Sequence, residues 1–438
     1  KCGKCGEVIS RIPDVGNPWL DAGIVPFSTM PLDWFPADFI TESFPGQFKN
    51  WFYSLIAMAT ALKNTNPFKT VLGFASVRDE KGEEMHKSKG NMVEFNEAAD
   101  KIGVDVMRWM YLRQDPEANL NFGYHVADEV RRFFHLRLWN VYSFFVTYAN
   151  LNNFVPTEDL DIPLENVLDR WIVSRLNESI KNVTSYVEKY QADKAVEDIE
   201  NFVINDLSNW YVRRSRERVA LYAEEEDKKA CLITLWFVLT EYSKLLASFI
   251  PFVSEEIYTN LTGEDSVHLA DWPKYDESLI DKSLSLEMSK AREVVEMAHA
   301  QRKAANIKVR QPLNALVQTT KKAEVEFAKY IFPLIAQEVN LKLEYGLDKN
   351  FKADAVITDN EGNIKLLIEF KITPRLKAEG EARDIIRQIQ EERKKLGTKL
   401  DEKVEVSLPS WPKEFESEIK KKALVQSLSR GEFSVKPA

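Results

Sequence analysis

Cysteine is scarce: three in 438 residues cannot form a disulfide framework, which points to a reducing compartment, the cytoplasm. Long apolar runs are missing as well. The longest apolar stretch, residues 231–253, is interrupted by Thr240, Glu241, Tyr242, Ser243 and Lys244, well short of the ~20 apolar residues a bilayer demands. No membrane-spanning helix is expected. Internal repeats and low-complexity tracts are absent, which excludes solenoids and fibrous chains. Positive charge is in deficit, 59 Lys and Arg against 68 Asp and Glu for a net charge of −9. That balance is unpromising for a nucleic-acid partner, yet a phosphate-binding face needs only a local concentration of Lys and Arg. Three exist, at Arg131, Arg132 and Arg137, at residues 213–218 and at residues 302–310. The sequence opens on Lys1, not Met, with no leader after it, and is expected to begin inside a longer gene product.

A hydrophobic content of 44% and a charged content of 29% describe a globular chain, and the length suggests roughly three domains. Residues 1–35 are rich in Gly and Pro and read as loops with short strands. Apolar positions Trp51, Phe52, Leu55, Ile56, Ala59 and Leu62 predict a helix over 47–62. A strand is expected at 69–77, a loop at 79–91, and short helices at 95–101 and 105–113. Long amphipathic segments at 124–151, 164–190, 193–222, 227–247 and 254–261 read as a helix bundle. A further helix is expected at 283–305. Strands at 315–318, 364–371 and 404–408, with helices at 323–336 and 379–396, make the remainder α+β.

The loop Glu84-Met85-His86-Lys87-Ser88-Lys89-Gly90-Asn91 carries the clearest chemistry. A mobile ammonium beside a hydroxyl and a glycine suits transient contact with phosphates; a solvated turn is the plain alternative. A second feature is the helix in which Ile199, Val203, Leu207 and Trp210 step by three or four and continue to Arg214 and Arg218. Two readings stand for its cationic end. The arginines either complement the helix dipole and neighbouring glutamates, or reach RNA phosphates and bases. Cys2 and Cys5 form a Cys-x-x-Cys knuckle that can supply half of a tetrahedral Zn²⁺ site. Cys231 reads as packed core, and the five histidines offer no second knuckle. The other half therefore lies before Lys1, or no metal is held.

The loop resembles the Lys-Met-Ser-Lys-Ser signature of class I aminoacyl-tRNA synthetases, continued by Gly and Asn. Met85, Lys87, Ser88, Gly90 and Asn91 match; Glu84 and His86 replace the first lysine and first serine. Trp19-Leu20-Asp21-Ala22-Gly23 is similar to a stretch of the isoleucyl members. Phe35 to Ile40 and Trp51-Phe52-Tyr53 bracket a segment similar to the one that lines their adenylate site. Residues 206–216, 307–313 and 373–380 also resemble those enzymes, in the expected order. The His-Ile-Gly-His signature of the class is absent.

The resemblance implies a mixed α/β and α fold. Residues 1–122 would form the second half of a Rossmann-type catalytic domain, 123–282 a helical anticodon-binding bundle, and 283–438 an α+β domain touching tRNA. It implies ATP contacts at Met85, His86, Lys87 and Ser88, with Lys87 catalytic, and adenylate contacts at Glu42, Gln47 and Trp51. It places tRNA contacts at Trp210, Arg213, Arg214 and Arg218. ATP and Mg²⁺ are the implied cofactors, with Zn²⁺ if the knuckle is completed. Isoleucine and tRNA(Ile) are the implied partners of a cytoplasmic monomer, inactive as this stretch alone. Valyl or leucyl specificity is the alternative within the class, and a non-catalytic tRNA-binding module the alternative outside it.

Overall fold

Pro18–Ser28 is a helix, although the first 35 residues read as loops and short strands. The helix breakers stand where a helix tolerates them. Asn17 caps the start, its Oδ1 accepting from the N–H groups of Trp19 at 3.0 Å and Leu20 at 3.3 Å. Pro18 takes the first helical position, where a missing N–H is no loss. At Gly23 a Cβ would lie 2.7 Å from the Ser54 carbonyl oxygen, so glycine is what lets this helix approach the backbone of Tyr53–Lys63.

The structure is a computed structural model that describes residues 3–8, 10, 13–14, 16–29, 31–156, 162–319, 322–346, 348, 350–358 and 364–438. It contains two compact units, Lys1–Phe133 with Thr184–Glu197, and Phe134–Val183 with Asp198–Ala438.

In the first unit, strand Ala37–Ser43 pairs in parallel with Phe68–Phe74, with Ala37 opposite Phe68 and Glu42 opposite Gly73. Parallel neighbours need a crossover. Phe44–Gln47, a wide π-type turn at Phe48–Phe52, and the helix Tyr53–Lys63 provide it. Asn64, in the left-handed conformation at φ 52°, ends that helix. A second, shorter parallel pair joins Val77–Arg78 to Leu120–Asn121. Between its strands lie the loop at 79–91 and the helices Phe95–Ile102 and Val104–Arg113.

Helices Leu136–Leu151, Glu225–Leu246, Pro251–Thr262 and Lys282–Ala304 belong to the second unit. Val167–Glu188 contributes its length through Val183, and the wide-turned segment Asn201–Val212 lies wholly within it. Trp171, Leu176, Ile180, Phe202, Tyr211 and Tyr242 fill their core. The apolar spacing predicts most of this pattern, but the segment expected at 193–222 stops being helical after Ser215, and the one expected at 124–151 is interrupted by a wide turn at Arg131–His135. Among the described residues no helix is long and apolar enough to cross a membrane.

Two small sheets follow. Leu313–Thr319 lies between Leu341–Tyr345, parallel, and Ile364–Glu369, antiparallel, with Ala355–Thr358 at the outer edge. Val404–Leu408 lies between Val425–Arg430, parallel, and Ser434–Pro437, antiparallel. Ala382 and Ile389 of helix Pro374–Leu396 pack on Val404, Val406, Ile419 and Ala423. The edge strands escape sequence reading because they are short and mostly exposed, so their side-chain alternation is weak.

In the cationic concentration at 302–310 the two arginines are engaged, while Lys303 and Lys308 are exposed. Arg302 is buried, and its guanidinium donates to the backbone carbonyls of Lys308 at 3.2 Å, Gln311 at 2.9 Å and Asn340 at 2.9 Å. Burial lowers its pKa to about 10, which leaves it cationic at neutral pH. Arg310 pairs with Asp384 at 3.1 Å.

Candidate functional site

Asp79 begins the loop that carries Lys87, and its carboxylate organises the root. Oδ1 accepts from the N–H groups of Lys81 at 2.9 Å and Glu83 at 2.8 Å, the Asx-turn geometry that an Asp–Glu–Lys–Gly sequence favours. Its other oxygen accepts from the Asn91 amide at 2.9 Å. These hydrogen bonds hold the Asp79 carboxyl below its ordinary pKa, with the Asn91 bond the largest cause. Asn91 closes the loop from the far end. Its amide nitrogen also donates to the Glu84 carbonyl at 3.1 Å, and its Oδ1 accepts from the His86 N–H at 3.0 Å. One side chain thus clasps both flanks of the loop.

Inside the clasp, Lys87–Lys89 form a single 3₁₀ turn that ends at Gly90, left-handed at φ 70°. His86 faces Glu84, Nε2 to Oε2 at 3.4 Å. Lys87, Ser88 and Lys89 are exposed. Among the described residues the Lys87 and Lys89 ammonium groups have no hydrogen-bond or ion-pair partner. Two unneutralised cations at a turn are a device for attracting anions, since each retains its full charge for an incoming group.

Glu42 stands at the carboxyl end of strand Ala37–Ser43, the end at which parallel sheets bind ligands. It is half-buried, and its Oε1 accepts from the Ser43 N–H at 2.8 Å. Gln47 ends the short helix that follows. Its Oε1 is buried and, among the described residues, accepts no hydrogen bond. An orphaned buried acceptor is costly and fits a donor brought by a ligand. Trp51 lies in the wide turn, half-buried, with its ring 5.5 Å from that of Phe52. These three residues and the Lys87 loop all belong to the first unit.

At the arginine-rich helix end the structure departs from the outward-facing reading. Trp210 is buried, its Nε1–H directed at the Met288 sulfur at 3.0 Å, with the guanidinium groups of Arg292 and Arg214 over its ring at 5.3 and 5.5 Å. Arg214 is buried against Glu338. Arg218 is buried too, with Nη1 and Nη2 at 2.7 and 2.6 Å from the two oxygens of Asp169 and its Nε at 3.0 Å from Asp227. The stripe from Trp210 to Arg218 therefore stays inside along its whole length, so neither Arg214 nor Arg218 presents charge to solvent. The exposed cations are Arg213, 56% exposed at the side chain and 2.5 Å from Glu338, and Arg216. Arg216 was not singled out in the sequence; its three-residue spacing from Arg213 was the available signal.

Cys5 is an exposed free thiol, and Cys2 lies outside the described residues. Among the described residues no three His, Cys, Asp or Glu side chains gather as a metal site would require. Cys231 is fully buried, and burial pushes its thiol up to about 11. Asp79, Asp169 and Glu338 carry roles that sequence reasoning missed.

A family model described as tRNA synthetases class I (I, L, M and V) matches residues 2–123, and one described as the anticodon-binding domain of tRNA ligase matches residues 169–319. The isoleucine–tRNA ligase of Clostridium tetani is 39% identical over 398 residues, covering 87% of this chain and 36% of that protein. The isoleucine–tRNA ligase of Clostridium acetobutylicum is 33% identical over 517 residues, covering 98% of this chain and 49% of that protein. The chain thus spans about a third to a half of the length of these curated relatives. Among solved structures, the leucyl-tRNA synthetase of Agrobacterium radiobacter K84, in a ternary complex with tRNA and LeuAMS, superposes with a TM-score of 0.50 at 17% identity. It covers 84% of this chain and 44% of that one, a likeness of fold.

Proposed function

This chain belongs to the class I aminoacyl-tRNA synthetases, and we propose that it is part of an isoleucine–tRNA ligase, which activates isoleucine with ATP and esterifies it to tRNA(Ile). The observation that carries the reading is the Lys87 ammonium, unpaired among the described residues, on a loop whose two flanks are clasped by Asn91 and Asp79. Adenylate formation moves negative charge onto pyrophosphate as the isoleucine carboxylate attacks the α-phosphorus. A cation carried on a loop whose flanks are already fixed stabilises that charge with little reorganisation.

In this reading Lys87 contacts the migrating phosphates, and Met85, His86 and Ser88 supply the loop surface and further donors. Gln47 offers its orphaned Oε1 to a donor of the adenylate, with Glu42 at the strand end and Trp51 in the following wide turn as its further contacts. Mg²⁺, when bound with ATP, supplies additional neutralisation of the triphosphate. The division at 1–122, 123–282 and 283–438 corresponds to catalytic portion, anticodon-binding bundle and tRNA-contacting tail. For the RNA face, the exposed Arg213 and Arg216 replace the buried Trp210, Arg214 and Arg218. A zinc ion at Cys2 and Cys5 would need two more ligands.

The deciding experiment is amino-acid-dependent exchange of pyrophosphate into ATP by the longer protein that contains this chain. Exchange driven by isoleucine, and not by valine or leucine, supports the reading. Exchange driven by valine or leucine alone reassigns the specificity, and no exchange with any of the three leaves a tRNA-binding module.

A further inference from the structure

The root of the Lys87 loop is tied to a second element through a residue that the function above does not use. Glu80 follows Asp79, and its Oε1 accepts from the backbone N–H of His125 at 2.5 Å and of Val126 at 3.4 Å. Those are orphan donors of the helix Tyr124–Val130, whose own N-cap residue, Gly123, has no side chain to satisfy them. Glu80 therefore caps that helix from 45 residues away in sequence, with its charge at the positive end of the helix dipole. Gly123 is what admits it, because a Cβ there would overlap the Glu80 Cγ. The Gly123 backbone is extended, at φ 171°, so the glycine answers to the close approach and not to the backbone conformation.

We infer that Glu80 is a positioning residue for Lys87: its cap on the helix Tyr124–Val130 fixes the loop root, and the adjacent Asp79–Asn91 clasp carries that position to the ammonium. The inference rests on Lys87 as the phosphate contact, but its geometry is testable without it. Arg78 contributes to the same root, donating to the Gly82 carbonyl at 3.1 Å.

Variants of the longer protein that contains this chain test it. Glu80→Ala deletes the cap, Glu80→Gln keeps the accepting oxygen without the charge, and Gly123→Ala evicts the carboxylate while leaving it in the chain. Hydrogen exchange is read at His125, Val126 and residues 84–91, and affinity is read by titration with ATP. Glu80→Ala and Gly123→Ala should each speed exchange at both places and weaken ATP binding about fivefold, the scale of one lost helix cap. Glu80→Gln should restore most of both. The double variant should be no worse than either single one, because both remove the same contact. Additive effects, or loop exchange unchanged in Glu80→Ala, would overturn the inference. If Lys87→Ala leaves ATP affinity untouched, the phosphate reading fails separately, and the exchange measurements still decide the role of Glu80.

Discussion

Arg218 and Asp169 form a bidentate ion pair inside the helix bundle, Nη1 to Oδ1 at 2.7 Å and Nη2 to Oδ2 at 2.6 Å, with Asp169 fully buried. Asp169 also accepts from the Tyr211 hydroxyl at 2.5 Å, and Asp227 takes the remaining face of the guanidinium. Burial disfavours the charged arginine, but the hydrogen bonds to Asp169 and Asp227 outweigh it and raise its pKa. Arg218→Met should strand a buried carboxylate and lower unfolding stability by about 3–5 kcal/mol. Urea denaturation measures this; a loss below ~1 kcal/mol would mean that the network is slack.

The proposed RNA face gives a contrasting expectation. Counterion release makes log affinity fall with log salt by roughly 0.7 to 0.9 for each phosphate neutralised. Arg213→Ala with Arg216→Ala should therefore shallow the salt dependence of tRNA binding by about one to two units, with a smaller loss of melting temperature than Arg218→Met, because Glu338 keeps Arg214. Arg218→Met should do the reverse. Filter binding at several salt concentrations, paired with thermal melts, separates the two sets. A slope that responds to Arg218 and ignores Arg213 and Arg216 would restore the outward reading of the buried stripe.

For activation, Lys87→Ala in the longer protein should lower isoleucine-dependent pyrophosphate exchange by about 10²-fold or more, the effect of one lost transition-state charge contact. The 438-residue chain alone should show no exchange, since it spans about a third to a half of its relatives' length. Measurable turnover by the isolated chain, or a near-normal rate for Lys87→Ala, would count against the proposed site.

His299 supplies a pH test. Its pKa is lowered from 6.5, first by burial and then by Arg213, Arg302 and Arg214. Glu338, with Oε1 3.6 Å from Nε2, pulls the other way, but that carboxylate is already engaged by Arg213 and Arg214. With the folded pKa below the unfolded one, the unfolded chain takes the proton first as pH falls. Stability is therefore intact above 6.5 and declines as pH drops from there towards the lowered folded value. Melts of the wild type and of His299→Gln between pH 8 and ~5 should converge at the high end and diverge at the low end. An imidazole titrating above 6.5 by NMR would reverse the sign.

The long helices were legible in the sequence because an apolar stripe of period 3.6 is a local property. Residues 283–305 predict the helix found at Lys282–Ala304, and 404–408 the strand found at Val404–Leu408. The Lys87 loop at 79–91 was legible as a loop for a related reason, since its residues are contiguous in the chain; its contact with phosphate is what the pyrophosphate exchange measurements test. Pro18–Ser28 was not: Pro and Gly report conformational options, and only the Asn17 cap and the nearness of Ser54 show which option is taken. The sequence by itself determined that residues 210–218 form one stripe ending in arginines. It could not say that the stripe remains interior, because the carboxylates that cover it, Asp169, Asp227 and Glu338, come from other helices. A charge is placed at the surface or in the core by the partners folded around it, and those contacts exist only in the tertiary structure.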